Sequence, residues 1–117
     1  MIAPLDRCLI VEENFLIRQD LADMLQSLGF RQVDEAESFA QAKALIATTA
    51  YRMAFIYILH ADDGSQSLAA TLRDMNIPFV VTTAHLEARD LPPVMQGAPV
   101  VSKPYNFEAL RKILASL

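Results

Sequence analysis

The sequence predicts an α/β fold, a doubly wound, five-stranded parallel sheet with helices on both faces. Short apolar runs rich in strand formers alternate along the chain with longer stretches of helical periodicity. The run Met53 to Leu59 is apolar throughout, as a central parallel strand covered on both faces requires. The 117 residues are 53% apolar, enough for one core, and suit a single domain over 1–117. No linker or composition shift divides them.

Cys8-Leu9-Ile10-Val11 is the first strand, too short for a helix. Asn14 to Leu28 follows as a helix, with Ile17, Leu21, Met24, Leu25 and Leu28 on one face. Asn14 supplies an N-cap and Gly29 a stop. Gln32 to Ala36 reads as a short polar strand suited to an edge. Ser38 caps a helix to about Ala47 that turns Ala42, Leu45 and Ile46 inward. After the third strand, His60 to Gly64 is a loop, and Ser65 or Ser67 opens a helix with Leu68, Leu72 and Met75 aligned. Ile77 to Thr82 is the fourth strand, with Pro78 near its start, where a missing N–H is tolerated. Ala84 to Gly97 should carry a fourth helix, but Pro92-Pro93 leaves it shortened or irregular. Pro99 to Ser102 is the fifth strand. Asn106 caps a last helix with Phe107, Leu110, Ile113, Leu114 and Leu117 on its apolar side.

Composition excludes several functions. The net charge of −4, with no Lys/Arg cluster, argues against nucleic-acid binding. No apolar run approaches the ~20 residues a membrane helix needs, and the amino terminus lacks the pattern of a signal peptide. The single cysteine, Cys8, cannot form an internal disulfide and fits the reducing cytoplasm. Its place among apolar residues makes it a core side chain. There is no Gly-rich phosphate loop and no Ser/His/Asp arrangement, so enzyme activity is not expected.

In a doubly wound sheet the functional site lies outside the carboxyl ends of the strands. The residues there are Glu12 and Glu13, Ile58 to Gly64, Thr83 to His85, and Lys103. These segments resemble the receiver domain of bacterial response regulators, over about Leu5 to Leu117. The motifs are Leu9-Ile10-Val11-Glu12-Glu13-Asn14, Asp63-Gly64, Val81-Thr82-Thr83-Ala84, and Ser102-Lys103-Pro104-Tyr105. The resemblance implies a flavodoxin-like strand order of 2-1-3-4-5. It also implies a site in which an acidic pair, here Glu12 and Glu13, holds Mg²⁺ beside an aspartate phosphorylated at the end of strand three. Thr83 and Lys103, followed by Pro104, would bind the phosphoryl oxygens.

Two departures stand out. The acceptor position falls on Ile58, which has no nucleophile. The switch position, often aromatic in the family, is Val100. Losing a carboxylate leaves the pocket less negative, so Mg²⁺ binding is expected to be weak or absent and no cofactor is expected. Glu12 or Glu13 is long enough to reach Lys103 and mimic a filled site.

The expectation is therefore an atypical stand-alone receiver without an output domain, acting by phosphorylation-independent protein contact. Its partner would be a histidine kinase or phosphotransfer protein. Phe15 should be exposed near the acidic pair, and Tyr105 lies at the base of the last helix. The resemblance places both on the kinase-docking surface. Disruption of the fourth helix argues against the family's usual dimer, leaving a monomer or weak dimer. One alternative is a small-ligand or metal sensor, with His60, His85 and Glu13 as a weak candidate ligand set. The other is a phosphoacceptor displaced to Asp62 or Asp63.

Overall fold

The computed structural model describes residues 7–58, 64–83, 91–102 and 106–116. Its strands are β1 (Arg7–Val11), β2 (Gln32–Ala36), β3 (Met53–Tyr57), β4 (Phe79–Thr83) and β5 (Val100–Ser102). All pair in parallel, in the order β2-β1-β3-β4-β5. The helices are α1 (Phe15–Ser27), α2 (Phe39–Thr48), α3 (Ser65–Asp74) and α4 (Phe107–Ser116).

Side-chain alternation divides the sheet's apolar residues between its faces. Leu9, Val11, Ala54, Ile56 and Val81 pack with Ala42 and Ile46 of α2 and with Leu68, Ala69 and Leu72 of α3. Cys8, Ile10, Phe55, Val80 and Val101 pack with Leu21 and Leu25 of α1 and Leu110 of α4. The sheet is thus sandwiched, with α2 and α3 on one side and α1 and α4 on the other. Strand order reverses between β1 and β3, so the carboxyl ends of those strands form the switch point where such folds place a site.

Several local expectations hold. The Asn14 carboxamide oxygen accepts from the Ile17 N–H at 3.1 Å, and the Ser38 hydroxyl from the Gln41 N–H at 3.1 Å. The Asn106 side chain caps α4 through the Ala109 N–H at 3.0 Å. Gly29, just past α1, takes φ +117°, a conformation that glycine supplies without strain. The polar strand β2 lies at the sheet edge.

Other boundaries differ. β3 ends at Tyr57, short of the Leu59 expected from the apolar run; Ile58 follows it, and its N–H donates to the Thr82 carbonyl at 3.1 Å. β4 begins at Phe79 and includes Thr83. Pro78 has no N–H to give and contributes only its carbonyl, which accepts from the Ala54 N–H at 3.0 Å. Helix α3 starts at Ser65 after Gly64, whose φ is +99°, and no side chain caps it. It stops at Asp74 because Asn76 turns left-handed at φ +58°, so Met75 falls outside the helix and is 45% exposed. Phe107, expected on the apolar side of α4, is 41% exposed. Helical side chains lean toward the preceding turn, and the first residue has none to cover. Leu45 is half-buried beside the fully packed Ala42 and Ile46.

The segment with Pro92-Pro93 is irregular as expected: among its described residues the one helical stretch is the 3-10 turn Pro93–Met95, with a further turn at Gln96 and Gly97. Leu91 and Met95 anchor it in the core. The Arg73 guanidinium donates to the carbonyls of Val94 and Gln96 and lies 5.1 Å from the centroid of the Phe79 ring. Residues 84–90 and Leu117 lie outside the described residues.

Candidate functional site

The register places the site's residues across neighbouring strands. Val11 pairs with Ile56, and Ile56 with Val81, so Glu12, Tyr57 and Thr82 continue one row across β1, β3 and β4. Adjacent strands lie about 4.8 Å apart, which brings these residues within reach of one another. Thr83 ends β4, paired with Ser102, and is buried.

Glu12 extends the ladder by one bond, its N–H donating to the Ala36 carbonyl at 3.0 Å. Its side chain is only 2% exposed and folds back on the loop, where Oε2 accepts from the Asn14 N–H at 3.1 Å. Glu13 faces solvent. The acidic pair is thus divided into one buried carboxylate engaged with its own backbone and one exposed carboxylate.

At the end of β3 the side chains carry no carboxylate. Tyr57 is 5% exposed and Ile58 is 3% exposed. β3 ends at Tyr57, and Ile58, the acceptor position assigned from sequence, follows it and continues the pairing with β4 through its N–H. The Tyr57 ring stacks on Phe39, the first residue of α2, with centroids 4.8 Å apart and planes 22° from parallel. Gly64 presses on the same ring: a Cβ there would sit 3.2 Å from the Phe39 Cδ2.

Val100 opens β5, pairs with Val81 and is half-buried against the α2/α3 side of the core. Cys8 is fully buried, and burial, followed by the nearby Asp34 carboxylate, pushes its thiol up to about 12. That fits a core side chain and not a reactive one. His60, Asp62, Asp63, His85, Lys103, Pro104 and Tyr105 lie outside the described residues. Any contact of Lys103 with the acidic pair lies there too, as does a metal set built on the histidines. Among the described residues, no three His, Cys, Asp or Glu side chains converge on a common point.

Phe15 is 60% exposed, as expected, and its neighbour Leu16 is more so, at 76%. The sequence reading missed Leu16, though Phe15-Leu16-Ile17 cannot all face inward from one helix. It also missed Arg18, which is buried on α1. The signal was available, since Arg18 falls between Ile17 and Leu21 on the inward arc. Its Nη1 donates to the Glu12 carbonyl at 2.7 Å, and its Nε to Glu35 Oε1 at 3.0 Å. The guanidinium carbon lies 5.5 Å from the centroid of the Phe15 ring.

No family model matches the chain. The transcriptional regulatory protein PhoP of Escherichia coli strain K12 is 29% identical over 115 residues, covering 95% of this chain. The match takes in 51% of PhoP, so the chain spans about half the length of the curated relatives it matches. Among solved structures, a CheY-like response regulator receiver domain from Methylobacillus flagellatus superposes with a TM-score of 0.79 at 26% identity, covering 94% of this chain and 96% of that one. The BeF3-activated conformation of SdrG from Pseudomonas melonis Fr1 gives 0.80 at 28% identity, with coverage of 96% and 95%. The anti-anti-sigma factor PhyR of Bartonella quintana gives 0.75 at 25% identity, covering 93% of this chain and 45% of that protein.

Proposed function

We propose that this chain, which shares the fold of CheY-like response-regulator receiver domains, is itself such a receiver and serves two-component signalling by protein contact, independently of phosphorylation. The observation that carries this reading is the buried end of β3, where Tyr57 and Ile58 stand without a carboxylate. Neither side chain can form an acyl phosphate, so the reading survives a one-residue change of register. The Glu12 carboxylate is already engaged by the Asn14 N–H. Mg²⁺ demands a near-ideal octahedron of oxygens, so its binding here is weak or absent. The domain is no enzyme and holds no resident cofactor.

The docking surface in this reading is the start of α1. Phe15 and Leu16 form its apolar centre, with the exposed carboxylate of Glu13 just before them and those of Asp20 and Asp23 further along the helix. No exposed cation lies on α1. The fitting partner is a cytoplasmic signalling protein, a histidine kinase or phosphotransfer protein, with an apolar groove rimmed by Lys and Arg. The domain works as a monomer or weak dimer, away from nucleic acid and membrane. That PhyR is an anti-anti-sigma factor supports protein contact as an output.

The test is intact-protein mass after incubation with acetyl phosphate and Mg²⁺, with Tyr57→Asp and Ile58→Asp run in parallel. The wild type should stay unmodified and at least one variant should gain a phosphoryl group. Phosphorylation of the wild type, lost on replacing Asp62 or Asp63, would establish a displaced acceptor instead. Saturable Zn²⁺ binding abolished by His60→Ala or His85→Ala would favour the metal sensor.

A further inference from the structure

We propose that Arg18 is a positioning residue for the interaction surface at the start of α1, holding the Phe15 ring in place and tying it to the Glu12 loop. This rests on the docking reading above and adds to it a device that organises the surface before a partner arrives.

Arg18 is 7% exposed, and burying a cation is unfavourable unless it is paired and hydrogen-bonded. Packing alone does not call for it, because an aliphatic side chain between Ile17 and Leu21 would serve the inward arc as well. Its contacts lead toward the candidate surface. One donor grips the Glu12 carbonyl, immediately before the exposed Glu13, and a second grips Glu35 next to the end of β2. The Phe15 ring lies beside the same guanidinium. Three segments thus meet on one planar group: the β1–α1 loop, strand β2 and the exposed aromatic. A lysine ammonium cannot reproduce two fixed donors and a stacking plane together. A ring held this way loses less freedom on being covered by a partner than one free to rotate.

The chain contains no tryptophan, so Phe15→Trp installs a single indole reporter at the surface. In that background, Arg18→Ala and Arg18→Gln should raise the acrylamide quenching rate and lower the anisotropy of the indole. Amide exchange at Glu12 to Asn14 should accelerate about tenfold, the equivalent of one lost charge-assisted hydrogen bond, while β4 amides stay unchanged. Unchanged indole signals and loop exchange in a folded variant would overturn the proposal. So would an equal acceleration in β4, because Arg18 would then support the fold as a whole. Should both Arg18 variants fail to fold, Glu35→Ala removes the acceptor that one arm of the guanidinium holds on the neighbouring strand. It should shift the indole signals in the same direction by a smaller amount, and no shift would count against the role. These readouts need no partner, so their failure is distinguishable from failure of the docking reading.

Discussion

Cys8 shows how burial becomes a pH dependence. Its thiol is held up to about 12 from an ordinary 9.0, so the folded state favours the neutral form. Below the unfolded value both states are protonated and Cys8 adds no slope. Above it the unfolded chain loses its proton first, and stability falls with pH until the folded thiol also ionises. Urea midpoints should therefore decline between about pH 9 and 12, and Cys8→Ala should reduce that decline. Tyr51 adds a similar slope at higher pH, since burial and its 2.6 Å bond to Asp34 raise its phenol. Cys8 was legible in the sequence as a core residue because its neighbours are apolar. Arg18 was legible only by its place on the inward arc of α1; its partners, Glu35 and the Glu12 carbonyl, lie on other elements and are visible only in the structure. The stack of Tyr57 on Phe39 escaped for a related reason: the rings come from different elements, and no local periodicity links them.

Among the elements, the helix starts were more legible than the strand ends. Asn14, Ser38 and Asn106 act through local hydrogen bonds that recur at a fixed offset, so sequence alone places them. Asn14→Ala should cost about 1 kcal/mol in denaturant unfolding, by leaving an N–H of α1 without its acceptor. The strand ends depend on which neighbour accepts the next N–H, and an apolar run says nothing about that; hence β3 stops two residues before its run does. Helix α3 begins without a side-chain cap, and the left-handed Gly64 makes the corner instead. Gly64→Ala should cost about 1–2 kcal/mol from backbone strain, plus displacement of the Phe39 ring, seen as a lowered melting temperature.

At the scale of the whole molecule, the alternation of strands and helices and both helix layers were legible because buried parallel strands and amphipathic helices leave opposite signatures, whereas the strand order came only from the resemblance to receiver domains. The switch point between β1 and β3 then placed Glu12 and the end of β3 side by side. Apolar anchors on a surface contribute little to folding, which separates interface from core by experiment. Replacing Phe15 and Leu16 together by Ala should change stability by no more than about 0.5 kcal/mol, while Leu21→Ala in the core should cost about 2–5 kcal/mol. Both are measurable by urea titration, and a large loss from the surface pair would mean that those side chains support the fold.

The two margins of the sheet bear on how the domain behaves in a crowded solution. β2 carries Asp34 and Glu35 along one margin, and β5 is only three residues long at the other. A second copy approaching edge to edge meets like charges on one side and too short a template on the other. The fold thus discourages fibrous growth from either margin, so that self-assembly, where it occurs, must proceed through helix faces. Concentrated samples of the folded domain should remain dispersed, with light scattering flat over days, and fibrous growth under native conditions would show that the margins are not protected.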